Sequence, residues 1–560
     1  MKFILTAINS KYIHSNLAVY SLKASAGEIK DLVAIREFTI NNQKEAILGS
    51  LFSERPSVLF FSVYIWNLEY VTYLAREFHK LCPTVPIWAG GPEVSFETEK
   101  FLRENPAFCG VLVGEGERTF YEVCRYYNNG GVLRDIKGIL YRACDEYVYT
   151  GARECADMNT LSFAYDDMEE FENRIVYYES SRGCPFNCSY CLSSVDKALR
   201  FKDTETVKKE LGFFISKKVP QVKFVDRTFN CDHRHAMEIW KFIKANDNAV
   251  TNFHFEISAD LLTDEELDIM KDMRPGLIQL EIGVQSVNER TIKEIHRTMK
   301  LERLEEVVKR IKSFGNIHEH LDLIAGLPYE DMDSFKKSFN RVYGLYPEQL
   351  QLGFLKVLKG SFMYEHVKDY GIVYEDTPPY EVRSTKWIDY RDILKLKTVE
   401  EMVEVYYNSH QYEMGVKVLE GFFEDAFSFY EALGKFYEKK GYMDVSHTRI
   451  RRCEILLEFF DEMGFDASKR DKLREALVFD IYSRENSKTR PKFCDDEREW
   501  RELSFAACDK GKLKHLERFR YDFLKDLEEV SEAVYVLFDY EKRDALTGKA
   551  DAGYYSEGEK

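Results

Sequence analysis

No apolar run in the chain approaches the ~18 residues that a membrane-spanning helix needs. The opening stretch MKFILTAINSKYIH is too short an apolar segment for a secretory signal and runs straight into a polar loop. A basic excess is also missing. Lys and Arg number 79 against 96 Asp and Glu, a net charge of −17. Broad binding to nucleic acid or to an anionic membrane needs a basic face, so neither is expected. Disulfide density is absent too, with 12 cysteines in 560 residues. Nine of the 12 (Cys82, Cys109, Cys124, Cys144, Cys155, Cys231, Cys453, Cys494 and Cys508) are scattered and read as reduced, mostly buried thiols. Internal repeats and low-complexity tracts are lacking. What these absences leave is a cytoplasmic globular protein, long enough for two or three cores.

Residues 1–150 alternate short apolar runs (KFILTAI, LVAIREF, VLFFSVY, VPIWAGG, GVLVGEGE) with stretches of helical spacing such as LEYVTYLAREFHKL. Strand and helix in alternation predict a parallel sheet with crossover helices, a flavodoxin- or Rossmann-like domain that binds ligands at the carboxyl ends of its strands. Residues 151–174 are polar, carry DDMEEFE, and read as a linker. A second series follows over 175–370: RIVYYESS, QVKFVDRTF, NFHFEIS, LIQLEIGVQS, HLDLIAGLP and LQLGFLKVL. Six such units predict a partial (β/α)6 barrel of the TIM type. Thr263 and Glu266 make a capping box before ELDIMKDM. Residues 371–545, with RIRRCEILLEFFDEM and KRDKLREALVFDIY, predict a mainly helical domain, and 546–560 a disordered tail. The fold class is therefore α/β with a helical C-terminal part.

The densest chemistry lies in RGCPFNCSYC, residues 182–191. Cys184, Cys188 and Cys191 are spaced C-x3-C-x2-C with no fourth cysteine beside them. Four thiolates would close a zinc site or saturate a cubane cluster, whereas three leave one iron of a [4Fe-4S] cluster open. An amine and a carboxylate on one small molecule can chelate that iron, and S-adenosylmethionine carries such a pair. The competing reading is a zinc knuckle completed by Cys231, His233 or His235.

On these cysteines and the motifs after them, residues 175–360 resemble the radical S-adenosylmethionine (radical SAM) superfamily. Tyr190 is the aromatic residue that the family has before the last cysteine. The resemblance implies a cluster on Cys184, Cys188 and Cys191, and S-adenosylmethionine contacts from several further positions. Asp226, in KFVDRTF, would face the methionine amine. Glu281 would face the ribose. Gln285 and Ser286, in GVQSVNERTIKEIHR, would lie near the cofactor, and Arg297 would meet its carboxylate. In LDLIAGLP, Ile324 and Gly326 would lie against adenine.

The N-terminal domain resembles cobalamin-binding domains in the order of its loops, which there carry DxHxxG, SxL and GG. His14 stands at the histidine position, but Tyr12 and Leu17 replace the Asp and the Gly. Ser62 is kept, with Tyr64 in place of the Leu. Gly90 and Gly91 follow the fourth strand, and GEGE, with Glu115, follows the fifth. The resemblance implies cobalamin near His14, Ser62, Tyr64, Gly90, Gly91 and Glu115, without His14 on cobalt. The alternatives are a flavodoxin-like domain with another ligand or none, and a methylthiotransferase, whose N-terminal domain brings cysteines that this chain lacks before Cys82. The C-terminal region resembles an extension found on one subgroup of cobalamin-linked radical SAM proteins.

The implied activity is that of a cobalamin-dependent radical SAM enzyme. It would cleave S-adenosylmethionine reductively to a 5′-deoxyadenosyl radical and methylate an unactivated carbon or phosphorus of its substrate. Its electrons would come from a reductant such as flavodoxin or ferredoxin. A radical rearrangement or cyclisation with cobalamin transferring electrons, and a non-catalytic sensor of cluster, S-adenosylmethionine and corrin, are the rival expectations.

Overall fold

Strand β1 (Phe3–Asn9) is buried along its whole length, as a strand covered by helices on both faces must be. Around it lie β2 (Val33–Thr39), β3 (Val58–Ser62), β4 (Ile87–Gly90), β5 (Gly110–Leu112), β6 (Ile139–Ala143) and β7 (Glu146–Tyr149). The order across the sheet is β2-β1-β3-β4-β5-β6-β7. The first five strands are parallel, β6 pairs antiparallel with β5, and β7 pairs antiparallel with β6. Helices α1 (Leu17–Ala24), α2 (Lys44–Ser53), α3 (Leu68–Leu81), α4 (Thr98–Glu104) and α5 (Glu117–Asn129) make the crossovers. Val71, Leu74, Ala75 and Phe78 form the buried stripe of α3, at the spacing that puts residues on one helical face. They join Ile4, Ile8, Leu59 and Phe61 in one core. The strand order reverses at β1 and β3, so the loops that leave these two strands diverge and open a crevice at their carboxyl ends. The antiparallel β6–β7 pair is an addition to the five-strand expectation. The computed structural model describes residues 1–144, 146–487, 489–496, 498, 500–508 and 513–556.

The linker is polar but pinned. Tyr165 and Phe171 are buried beside Tyr20, and Arg174 donates to Glu37 at 2.6 Å. The second series begins with β8 (Val176–Tyr178), β9 (Ser181–Arg182) and β10 (Arg200–Phe201), then α6 (Thr204–Ser216), β11 (Gln221–Phe224), α7 (His233–Ala245), β12 (Asn252–Ile257), α8 (Asp264–Lys271) and β13 (Ile278–Gln285). The capping box of α8 is present, with Thr263 and Glu266 bonded reciprocally. Strands β8, β11, β12 and β13 are parallel neighbours, with Tyr177, Lys223 and His254 level with one another and Glu256 level with Glu281. The alternate residues, Phe224 and Phe255, pack toward α7, where Trp240 meets Phe255. Tyr177, Lys223 and His254 therefore stand on the inner face of the curved sheet.

The chain divides into two compact units: Met1–Ile282 with Arg290–Val307 and Phe354–Lys386, and Gly283–Glu289 with Val308–Gly353 and Trp387–Lys560. Helices α9 (Glu289–Glu294) and α10 (Leu301–Phe314) follow β13, and then come β14 (His318–Ala325), α11 (Met332–Tyr343) and β15 (Gln349–Phe354). The first unit also holds α12 (Phe362–Glu365), α13 (Val367–Tyr370) and the short pair β16 (Val373–Tyr374) and β17 (Val382–Ser384). The second unit is mainly helical: α14 (Tyr390–Val403), α15 (Glu413–Glu420), α16 (Ala426–Lys440), α17 (Arg449–Met463), α18 (Arg470–Arg484) and α19 (Arg501–Ala507). Helix α18 is buried from Leu473 to Ser483, polar residues included.

That burial reflects a difference from expectation. The region expected to be mainly helical also holds strands: β18 (Lys514–Tyr521), β19 (Glu529–Arg543) and β20 (Ala550–Tyr554) form an antiparallel sheet that contacts α18. Residues 550–554, expected within a disordered tail, are its third strand, paired through the backbone where side-chain patterning is weak. Residues 557–560 of that tail lie outside the described residues.

Candidate active site

The three-cysteine loop leaves β9 through Gly183, at φ +93°. A Cβ there would come within 2.7 Å of the Ala198 carbonyl oxygen, so the turn into Cys184 requires glycine. Backbone bonds fix the loop: Cys184 N–H to Asp196 O at 3.2 Å, Cys191 N–H to Cys188 O at 3.1 Å, Ser189 N–H to Ile295 O at 2.9 Å, and Met363 N–H to Ser189 O at 2.9 Å. Cys184 and Cys188 are buried and Cys191 half-buried. The three thiols do not form one of the groups of described ligands that converge within 4.8 Å. A single zinc with bonds of about 2.3 Å would draw its sulfurs to about 3.8 Å apart, so the wider placement suits a polynuclear cluster. His233, one candidate for a zinc knuckle, lies 3.2 Å from Glu266, and His235 Nε2 lies 3.1 Å from Ser180 Oγ.

Arg297 lies against this loop, its Nη1 donating to Tyr190 Oη at 3.3 Å and reaching Cys188 Sγ at 3.9 Å. Burial pushes the Cys188 thiol up, and the Arg297 charge opposes that shift. The structure therefore brings Cys188, Tyr190 and Arg297 together.

Asp226 is held by protein partners. It points to the helical side of the sheet, is 1% exposed, and accepts from Ser180 N at 3.0 Å and from the Ser180 and Ser181 hydroxyls at 2.6 Å each. Burial pushes it up to about 6, against those bonds. Its oxygens anchor the strand end that carries the cysteine loop. Glu281 does face inward, with Lys223 Nζ at 2.8 Å and His254 Nε2 at 3.0 Å. Burial raises its pKa, but His254 and Lys223 outweigh burial and hold the carboxyl well below its ordinary value.

Within the second unit, Gln285 takes φ +71°, and its buried Oε1 has no hydrogen-bond partner among the described residues. Ser286 is fully buried and donates to Glu330 at 2.6 Å, so its hydroxyl is committed to a protein partner. Ile324 lies near the end of β14, and Gly326 turns just after it at φ +88°.

On the N-terminal side, two neighbouring cavities open at the carboxyl edge of the sheet. One, of about 420 Å³, is walled by Ser62, Tyr64, Gly90 and Gly91 and reaches Leu192 and Ser193, just past Cys191. The other, of about 640 Å³, is lined by His14, Tyr64, Glu115, Tyr177 and Arg182. Gly91 takes φ +120°, and a Cβ on it would press within 2.4 Å of Val63 O. At Gly90 the nearest protein atom to a Cβ is Leu112 Cβ at 3.4 Å, an ordinary contact. Protein packing therefore does not demand glycine at Gly90, and its absent side chain leaves that stretch of cavity wall flat. His14 turns its Nδ1 to Tyr177 Oη at 2.7 Å. The Glu115 carboxylate is taken by Arg200 at 2.7 Å, Arg182 at 3.5 Å and Ala156 N at 2.8 Å. It braces the cavity wall.

Sequence reasoning passed over the segment 354–386. Lys359 Nζ donates to Glu93 at 2.8 Å, Tyr380 Oη donates to the same carboxylate at 2.5 Å, and Tyr364 Oη donates to Glu97 at 2.7 Å. Glu93 belongs to the loop after Gly91. Through Met363 the segment also holds the cysteine loop, and through Tyr370 it reaches Glu294 at 2.9 Å. No local motif announces it, because each contact spans more than 70 residues. Arg182 and Arg227 had a signal, since both sit inside the stretches RGC and VDR.

The first unit thus holds both a three-cysteine loop at the start of a parallel β/α sheet and a doubly wound sheet with a glycine-walled cavity. Residues 178–342 match the Radical SAM superfamily, residues 4–124 the B12 binding domain, and residues 368–536 a protein family of unknown function, DUF4080. The Radical SAM and B12 binding matches thus lie on consecutive parts of one chain. It is similar to the uncharacterized methyltransferase PH0819 of Pyrococcus horikoshii, 26% identical over 288 residues that cover 50% of this chain and 62% of that one. It is also similar to the cobalamin-dependent radical SAM methyltransferase TokK of Streptomyces tokunonensis, 25% identical over 304 residues, 50% of this chain and 44% of that one. The match thus spans less than two thirds of these relatives' length. In fold it resembles the cobalamin-dependent S-adenosylmethionine radical enzyme OxsB, solved with aqua-cobalamin and S-adenosylmethionine bound. The TM-score is 0.58 at 14% identity, covering 85% of this chain and 78% of that one. No helix among the described residues is long and apolar enough to cross a membrane.

Proposed function

We propose that this protein is a cobalamin-dependent radical SAM methyltransferase acting on an unactivated carbon or phosphorus. Cys184, Cys188 and Cys191 would hold a [4Fe-4S] cluster. Arg297 and Tyr190 would orient S-adenosylmethionine beside it, with Glu281 as a further contact. Gly90, Gly91, Ser62 and Tyr64 would wall the corrin. When bound, these groups supply a 5′-deoxyadenosyl radical and a methyl group for transfer. The residues of the chain bind, orient and exclude water. The observation that carries the reading is the 420 Å³ cavity, whose wall runs from Gly90 and Gly91 to Ser193 beside the cysteine loop. We place the protein in the cytoplasm, with a flavodoxin or ferredoxin as electron donor.

The test is anaerobic reconstitution with iron, sulfide and hydroxocobalamin, followed by S-adenosylmethionine labelled at the S-methyl carbon and extracts of the native cells as substrate source. Equal release of 5′-deoxyadenosine and S-adenosylhomocysteine, with label in a product, is the expected result. Deoxyadenosine with an unlabelled product would replace methylation by rearrangement. No deoxyadenosine from a cluster-loaded protein would leave only the sensor reading.

A further inference from the structure

Arg227 stands three residues beyond β11, next to Asp226, and its side chain lines both cavities. Its charge is the odd one in the wall. Glu115, Glu117 and Glu179 each lie within 3.5 Å of Arg182, and Asp196 lies 2.8 Å from Arg200. Every carboxylate that lines the larger cavity therefore has its cation. Arg227 has no such partner: its side chain makes no hydrogen bond or ion pair among the described residues. In the smaller cavity Glu117 and Arg227 are the charged lining residues, and Glu117 already belongs to Arg182.

A guanidinium offers five N–H donors and no acceptor, in a fork that matches a carboxylate or phosphate edge. Beside it the Ser193 hydroxyl, apart from the residues that would wall the corrin, also lines the smaller cavity and can donate to the same group. Arg227 follows β11 of the second series and does not belong to the glycine wall. We propose that Arg227 is a specificity-determining residue that anchors an anionic group, carboxylate or phosphonate-like, on the molecule to be methylated. This deepens the methyltransferase reading and rests on it for the word substrate. The anion site itself does not depend on turnover.

The test uses the anaerobically reconstituted holoenzyme with methylphosphonate and acetate as probes and acetamide as the neutral control. Trp66 lines the larger cavity and is 43% exposed, so its fluorescence reports the titration, with a Trp66→Phe variant assigning the signal. Wild type should show a saturable response to the anions and none to acetamide. Arg227→Gln should weaken the anion response at least tenfold, and Arg227→Lys should restore part of it. Equal anion binding in wild type and Arg227→Gln, or no saturable binding in wild type, would overturn the proposal. The iron content of each variant shows that it has folded. A second arm separates the substrate from the cofactor's own phosphate. If Arg227→Gln lost affinity for hydroxocobalamin but not for cobinamide, which lacks the nucleotide phosphate, the anion would belong to the cofactor and the substrate assignment would fall. Failure of the methyltransferase reading shows separately, as absent 5′-deoxyadenosine in wild type.

Discussion

His14 Nδ1 lies 2.7 Å from Tyr177 Oη, joining the loop after the first strand of the sheet to the first strand of the barrel. Ser15 Oγ donates to Ile175 O at 2.8 Å, and Ile175 N–H donates to Ile13 O at 2.8 Å. The loop is thereby tied to the strand, and the imidazole is committed to a phenol. Burial lowers the His14 pKa, with Lys11 and Lys223 adding to the effect, so the ring is neutral at pH 7.

His14→Ala should leave the visible spectrum of bound cobalamin unchanged and cost about 1 kcal/mol of stability, the worth of one hydrogen bond. Because the folded-state pKa is lowered, this stability is fully present above the ordinary value of 6.5 and lost as pH falls below it. Urea midpoints between pH 5 and 8 would show the wild-type advantage shrinking toward acid. A spectral shift in the variant would make His14 a cobalt ligand instead.

The Glu93–Lys359 pair makes a second prediction. Glu93 is buried, and Lys359→Met would leave Tyr380 as its remaining bonded partner. Breaking a buried pair from one side costs about 3–5 kcal/mol. Because Glu93 sits in the loop after Gly91, the loss should fall on corrin binding. The hydroxocobalamin dissociation constant should rise at least tenfold while iron content stays full, and Lys359→Arg should recover most of the affinity. Unaltered corrin affinity in Lys359→Met would confine the pair to packing.

Gly183 allows a sharper test of the cysteine loop. Gly183→Ala adds one methyl group at φ +93°, against the Ala198 carbonyl. Strain of about 1–3 kcal/mol would displace Cys184. Iron bound after reconstitution should fall by half or more, with cobalamin binding retained. A variant with a full cluster would show that the loop yields without cost.

Much of this was readable before any coordinates. The alternation of KFILTAI and VLFFSVY with helical stretches reflects burial on both sheet faces, a constraint that acts locally on residue type. That Cys184, Cys188 and Cys191 share one loop after a strand was readable for the same reason. The hydrogen bonds of Asp226 to Ser180 and Ser181 were not. Its position at a strand end suggested a ligand contact, but a one-residue change of parity turns a side chain to the other face, and Asp226 shares the parity of Phe224. The bond from Ser286 to Glu330 was hidden similarly, because the two are 44 residues apart. The β18–β20 sheet was missed because its strands mix charged and apolar residues without a clean period.

Asp226 titrates where it can be followed. Its carboxyl is raised from 3.8 to about 6 by burial, with the Ser180 and Ser181 bonds opposing. The folded state therefore holds this proton more tightly than the unfolded chain. The associated stability is fully present below pH 3.8 and is lost as pH climbs through 6. At 1.36 kcal/mol per pH unit the loss comes to about 3 kcal/mol. Asp226→Asn removes the titration and keeps the shape: its amide oxygen can accept from Ser180 N–H, and its NH2 can donate to hydroxyls that rotate to accept. The variant's stability should be flatter between pH 4 and 7 by about that amount, and above pH 7 it should equal or exceed wild type. Guanidinium unfolding of the cluster-free protein across that range checks it. Parallel pH profiles for the two proteins would show that Asp226 is ionised in the fold. If the dissociation constant for S-adenosylmethionine also rose tenfold in the reconstituted variant, the carboxylate would turn toward the cofactor after all.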